Sequence, residues 1–194
     1  MAPTTERIVV VGASAGGVAA LRALLAGIDT RFSWPIVIVL HIGDSNIEGL
    51  IEVLQATSRL PVREAISGGD ITPSAVHVAP GGYHLLIERD HSFSLSLDAR
   101  VRYVRPSADV LFESAAEAYG AGVIGVVLTG TNDDGARGLE TIGIQGGLCL
   151  VQDPSEAEEA AMPAAALAKA AATSLPVAAI AARLMTEFNT FKAR

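Results

Sequence analysis

The sequence predicts an α/β domain: a doubly wound, mostly parallel sheet flanked by helices, with a short antiparallel part. Three observations carry that expectation. Hydrophobic residues make up 50% of the 194 residues but aromatics only 5%, so Val, Ile, Leu and Ala must build the core, as they do in sheets covered on both faces. The runs Ile8-Val9-Val10-Val11, Ile36-Val37-Ile38-Val39-Leu40 and Val123-Ile124-Gly125-Val126-Val127-Leu128 are continuous rather than alternating, the pattern of strands buried on both sides. Between such runs, apolar residues recur at helical spacing after turn-forming residues.

The first run ends at Gly12, and Ala13-Ser14-Ala15-Gly16-Gly17 leads into a helix marked by Val18, Leu21, Leu24 and Leu25. Pro35 opens the second strand, which His41 follows; Leu50, Ile51 and Leu54 mark a helix capped near Ser45 or Asn46. Residues 62–64, 75–79, 84–87 and 93–97 read as short, partly alternating strands separated by turn clusters such as Gly68-Gly69-Asp70 and Pro80-Gly81-Gly82, an antiparallel excursion attached to the parallel sheet. Arg105-Pro106-Ser107 then starts a helix carrying Val110, Leu111, Ala115 and Ala118. After the third buried run come Thr129-Gly130-Thr131-Asn132-Asp133-Asp134-Gly135, a helix over about 136–144 and a strand over 148–151. The Ala-rich remainder reads as helix, split by Pro163 and Pro176.

Length and pattern predict one domain over residues 1–194, with 1–7 as a flexible tail. A formal charge of -7 gives no long-range attraction to nucleic acid or to an anionic membrane. No run approaches the length of a membrane span, and no basic segment leads into a signal-peptide core. The expectation is a cytoplasmic protein without nucleic-acid partners or membrane insertion. The single cysteine, Cys149, sits in an apolar run and reads as a buried small hydrophobe.

Three polar groups directly follow strand ends, where α/β folds place their sites. Ser14 stands in Gly12-Ala13-Ser14-Ala15-Gly16, which matches the G-x-S-x-G elbow letter for letter in a strand-turn-helix context. His41 supplies an imidazole able to take and return a proton near neutral pH. Asp133 or Asp134 could orient that imidazole, and the residues alone do not choose between them. Rival readings of the Ser14 turn are a phosphate loop and a simple helix cap. The dinucleotide fingerprint fails, since Ser14 takes the second glycine position and His41 stands where a ribose-binding acid belongs. A metal site from His77, His84 and His91 is the weaker alternative, because strands and turns at that spacing do not converge.

The stretches Val10-Val11-Gly12-Ala13-Ser14-Ala15-Gly16-Gly17, the strand ending in His41, His77-Val78-Ala79-Pro80-Gly81, Arg105-Pro106-Ser107-Ala108-Asp109-Val110-Leu111-Phe112 and the run from Gly125 through Asp134 to Ala136 occur in that order. They resemble the catalytic domain of the bacterial chemotaxis receptor protein-glutamate methylesterase family across nearly the whole chain. The resemblance implies a catalytic Ser14, His41 and Asp134, with Asp133 matching a usually amide-bearing neighbour. It implies hydrolysis of glutamate methyl esters on chemoreceptor helices, often with deamidation of receptor glutamines, and no metal or organic cofactor. Ala15 and Thr131 become oxyanion-hole candidates and Arg105 a substrate-binding candidate. Thr131 departs from the Met usual in the family, and Ile42-Gly43-Asp44-Ser45 departs from its Met or Leu followed by prolines. The family's common amino-terminal phosphoacceptor domain has no counterpart in the seven residues before the first strand. Unregulated activity, a separate regulatory protein, or a substrate outside standard chemotaxis are the resulting expectations. The alternative to an enzyme is a noncatalytic receptor-binding or signalling module on the same fold.

Overall fold

A computed structural model describes residues 7–41 and 47–193. Among these residues, seven strands form one parallel sheet in the order β3-β4-β2-β1-β7-β8-β9. In chain order these are β1 (Ile8–Ala13), β2 (Ile36–Leu40), β3 (Val62–Glu64), β4 (Val76–Val78), β7 (Val123–Val127), β8 (Leu148–Gln152) and β9 (Thr173–Leu175). A separate hairpin pairs β5 (His84–Ile87) with β6 (Phe93–Ser96), antiparallel from His84↔Ser96 to Ile87↔Phe93.

The middle of the chain therefore differs from the expectation in one respect. β3 and β4 do not belong to the antiparallel part; they pair parallel to each other and to β2, with Val62↔Val76 and Ile36↔Val76 in register. A parallel crossover usually runs through a helix. Here residues 65–75 make it as irregular chain, so no helical period announced it. Val76, His77 and Val78 are all buried, as a strand covered on both faces requires.

Alternate side chains of the central strands feed two cores. Val9, Val11, Ile36 and Ile38 point toward α1 (Gly17–Ala26), α2 (Ile47–Gln55) and α6 (Val177–Lys192). Ile8, Val10, Val37 and Val39 point toward α3 (Ala108–Tyr119), α4 (Ala136–Ile144), α5 (Ala161–Lys169) and the hairpin. Each fully buried Val, Leu or Ile contributes about 1.5–3 kcal/mol relative to exposure, which makes the doubled continuous strands the main source of stability.

The expected bounds of α4 hold, and Ser107 caps α3 by accepting a hydrogen bond from the Val110 N–H. The cap expected near Ser45 or Asn46 lies outside the described residues. α5 begins later than alanine content suggests, with Pro163 in its first turn, where a missing N–H costs little. β9 was not expected from its sequence; it is a three-residue, largely exposed edge strand beside β8. Arg7, placed in the expected tail, is instead held over Trp34 and Phe191, with its guanidinium carbon 5.5 Å and 5.2 Å from the ring centres. Cys149 is buried, and burial pushes its thiol up to about 11.

The strand order reverses between β1 and β7, so the loops leaving their carboxyl ends face one crevice. α3 and α4 pack closely beneath it at Gly138. A Cβ there would lie 2.5 Å from Phe112 Cβ and 3.0 Å from the Asp109 carbonyl oxygen, neither of which is a flexible chain end. Gly138→Ala is expected to destabilise the protein by about 1–3 kcal/mol despite its better helix propensity, as measured by urea unfolding.

Candidate active site

The crevice is built first by backbone. The Ser14 N–H donates to the Thr129 carbonyl at 2.9 Å, tying the loop after β1 to the loop after β7. The His41 N–H donates to the Ala13 carbonyl at 3.1 Å, tying the end of β2 beside them. Gly16 adopts φ +74°, a left-handed conformation that lets the chain turn from Ser14 into α1 without a Cβ penalty. A Cβ on Gly130 would stand 2.8 Å from Ser14 Cβ, so the β7 loop approaches the serine as closely as a glycine allows.

Thr129 and Gln152 hold these loops from behind. The Thr129 N–H donates to the Gln152 side-chain oxygen at 2.8 Å, and the Thr129 hydroxyl accepts from the Glu159 N–H at 2.8 Å. Its proton reaches the Ala15 carbonyl at 2.9 Å. Neither residue stands out in sequence; each is a polar residue near the end of a buried strand whose partners come from other loops.

His41 and Asp134 meet directly. Nε2 of the imidazole and Oδ2 of the carboxylate are 2.8 Å apart, and both side chains are almost wholly buried. Asp134 is held by three further donors. The Ser107 hydroxyl donates to Oδ1 at 2.7 Å, the Ala108 N–H to Oδ2 at 2.6 Å and the Asp109 N–H to Oδ1 at 3.1 Å. The carboxylate thus satisfies free N–H groups at the start of α3. Burial pushes its pKa up, but hydrogen bonds from His41 and Ser107, the His41 charge and the Ala108 N–H outweigh it, leaving Asp134 below the ordinary carboxyl range.

Asp133 faces elsewhere, 2.5 Å from an Arg102 guanidinium nitrogen. The geometry therefore distinguishes two aspartates that spacing alone could not.

His41 Nδ1, the nitrogen away from Asp134, is buried and without a hydrogen-bond partner among the described residues. Ser14 is half-buried on the adjoining loop and is not hydrogen-bonded to it. With Nε2–H donating to an ionised Asp134, Nδ1 is left with its lone pair as a proton acceptor. Ala15 and Thr131 are exposed on the two loops flanking Ser14, and among the described residues neither backbone N–H donates to another group. A cleft of about 330 Å³ opens at Ser14, with Gly16, Gly17, Val18, Arg22 and Glu158 also in its lining.

Arg105 lies apart from that cleft's lining. Its Nη1 donates to the Leu97 and Asp98 carbonyls at 2.8 Å and 2.9 Å, bracing the chain after the hairpin. The three histidines of the metal alternative go to separate places. His77 Nε2 contacts Thr72, His84 Nε2 contacts the Ala99 carbonyl, and His91 stacks on Tyr119.

Asp109 escaped sequence reasoning, although it lies two residues after the Ser107 cap. It is fully buried; Oδ1 accepts from the Gly138 N–H at 2.8 Å, while Oδ2 has no hydrogen bond. Burial pushes its pKa up, the Gly138 bond opposes this, and the Asp134 charge adds to the rise.

The two acids predict opposite pH dependence. Stability from the lowered Asp134 is present above the unfolded carboxyl pKa and is lost as pH falls through the folded value. Ser107→Ala should cost about 1.5–3 kcal/mol near neutral pH, and the gap to wild type should narrow as pH falls through that window. Stability from the raised Asp109 is present below the unfolded pKa and lost as pH rises through the folded one. Asp109→Asn should therefore gain on wild type as pH rises. Urea unfolding across a pH series measures both trends.

Comparison with known proteins agrees with this arrangement. Residues 9–184 match the family described as CheB methylesterase. A Leptospira interrogans protein, provisionally named protein-glutamate methylesterase/protein-glutamine glutaminase, is 47% identical over 159 residues, covering 82% of each chain. A Geobacter metallireducens protein-glutamate methylesterase/protein-glutamine glutaminase is 38% identical over 174 residues; the match covers 89% of this chain and 50% of that protein. The crystal structure of the Thermotoga maritima CheB methylesterase catalytic domain superposes with TM-score 0.89 at 31% identity, covering 93% of this chain and 98% of that one. With one fold spanning these matches and a serine loop, an imidazole and a buried carboxylate at its crevice, the chain belongs to the CheB methylesterase family.

Proposed function

We propose that this chain is a serine hydrolase that removes methyl esters from glutamate side chains of chemoreceptor helices and deamidates receptor glutamines by the same route. The observation that carries the reading is the buried His41–Asp134 pair, whose Nδ1 has no partner among the described residues and whose histidine backbone is bonded to Ala13, beside Ser14. The names of the relatives support the substrate class. Both cores pack on one sheet, which supports taking residues 1–194 as one catalytic domain. No helix among the described residues is long and apolar enough to cross a membrane; the reading places the protein in the cytoplasm, where the signalling helices of such receptors lie.

In this mechanism His41 Nδ1 accepts the Ser14 hydroxyl proton as the oxygen attacks the ester carbonyl carbon. Asp134 stabilises the imidazolium through Nε2–H and holds the ring in the tautomer that leaves Nδ1 basic. The carbonyl oxygen becomes an oxyanion facing the Ala15 and Thr131 N–H groups. Collapse breaks the ester C–O bond, and methoxide takes the proton from Nδ1 to leave as methanol. Water then attacks the acyl-serine, gives its proton to Nδ1, and the second collapse returns Ser14 and releases a glutamate side chain. Deamidation follows the same steps with ammonia leaving. Arg105 braces the chain after the hairpin through Nη1, and its Nη2 is the candidate for contact with a receptor helix.

The experiment supplies a receptor-helix peptide bearing a glutamate methyl ester, and its glutamine counterpart, and follows methanol and ammonia separately. Ser14→Ala should keep the fold and lower methanol release by at least about three orders of magnitude, and Asp134→Asn by roughly 10³–10⁴. A serine-directed fluorophosphonate should label wild type and not Ser14→Ala. Peptide binding without labelling or turnover in wild type would identify the noncatalytic module instead.

A further inference from the structure

A cavity larger than the Ser14 cleft lies at the other end of the sheet. It measures about 530 Å³, within the range of small-molecule sites. Arg7 precedes β1, Trp34 precedes β2 and Tyr119 ends α3 ahead of β7, so the cavity lies at the amino ends of strands whose carboxyl ends carry Ser14 and His41.

Its walls are chemically unusual for this chain. Of nine aromatic side chains in the sequence, four line this one cavity: Trp34, Tyr119, Phe188 and Phe191. Trp34, Tyr119 and Phe188 are at most 5% exposed, and Trp34 packs edge-on against both phenylalanines at 5.4 Å and 5.6 Å. The aromatic walls are thus fixed by packing before any ligand arrives.

Charge is as uneven as shape. Arg7 lies over Trp34 and Phe191, and the Lys192 ammonium is 5.8 Å from the Phe188 ring centre. Against these two cations the lining offers, among the described residues, one carboxylate, Asp70, in a chain whose net charge is -7. A cationic ligand would compete for ring faces that Arg7 and Lys192 already cover, and would be repelled by them. A flat ring bearing an anionic group fits: with those faces covered, its ring lies against the aromatic edges and the Pro35, Ile71 and Pro73 side of the cavity, and the anion meets guanidinium and ammonium edges that stacking leaves open to hydrogen bonds.

We propose that this cavity is a second ligand site, taking a planar aromatic carboxylate. Because it opens away from the Ser14 crevice, its occupant does not compete with substrate. This inference stands whether or not the chain hydrolyses glutamyl esters.

Trp34 is the sole tryptophan, so its single indole N–H resonance reports on this wall without assignment of the whole spectrum. The test titrates 15N-labelled protein with 2-naphthoate and with its neutral analogue 2-naphthamide. Saturable one-to-one shifts of the Trp34 indole are expected, with naphthoate binding about fivefold tighter, the scale of a partly exposed ion pair. The double variant Arg7→Gln/Lys192→Gln should erase that preference while keeping naphthamide affinity. Phe191→Ala should weaken both ligands, with the thermal midpoint showing that the variant is folded. No saturable indole shift, or equal affinity for the two probes, overturns the proposal. So does an indole shift that follows protein concentration without ligand, which would mean that a second copy covers this face.

Discussion

The structure depends on how a fully buried carboxylate is kept ionised. Asp134 loses water on every side, and an uncompensated buried charge costs several kcal/mol. It is offset by donors from separate parts of the chain: Ser107, two N–H groups at the start of α3, and the His41 ring at the end of β2. These bonds fix the relative positions of β2, α3 and the loop after β7. The close approach this requires is visible at Gly12, where a Cβ would stand 2.7 Å from Ala108 Cβ. The backbone of β1 must be bare for α3 to reach the carboxylate.

Three aspartates near this point show how environment assigns roles to identical side chains. Asp133 is half-exposed and pairs with Arg102. Asp134 is pushed up by burial and pulled lower still by its donors. Asp109 is equally buried but has one hydrogen-bonded oxygen and a neighbouring negative charge, and it moves the other way. Two carboxylates this close cannot both ionise cheaply. The one with more donors keeps its charge to lower pH, and in the proposed mechanism it is also the one that steadies the imidazolium.

The two ends of the sheet differ in chemistry because they differ in what surrounds them. At the carboxyl ends, short glycine-rich loops expose backbone N–H groups and a serine, held by Thr129 and Gln152. At the amino ends, the scarce aromatics collect around Trp34 and two basic side chains. A parallel sheet separates these environments by its own length, so one domain can carry a polar reaction crevice and an aromatic cavity without either disturbing the other.

Much of this was legible in the residues. Continuous β-branched runs marked the central strands, because burial on both faces leaves no room for alternation. Helical spacing and the Ser107 cap marked α3, and the same spacing bounded α4. Ser14, His41 and an aspartate were visible as polar residues immediately after strand ends. Those features are written locally, within one element and its turn. What only the tertiary structure decided were relations between distant segments: that β3 and β4 join the parallel sheet, that β9 forms at its edge, that His41, Ser107 and the start of α3 converge on Asp134, that Asp109 lies buried near it, and that Arg105 braces the chain after the hairpin. A hydrogen-bond partner or a burial cost depends on which atoms arrive from elsewhere in the chain, and the periodicity of a single segment carries no record of them.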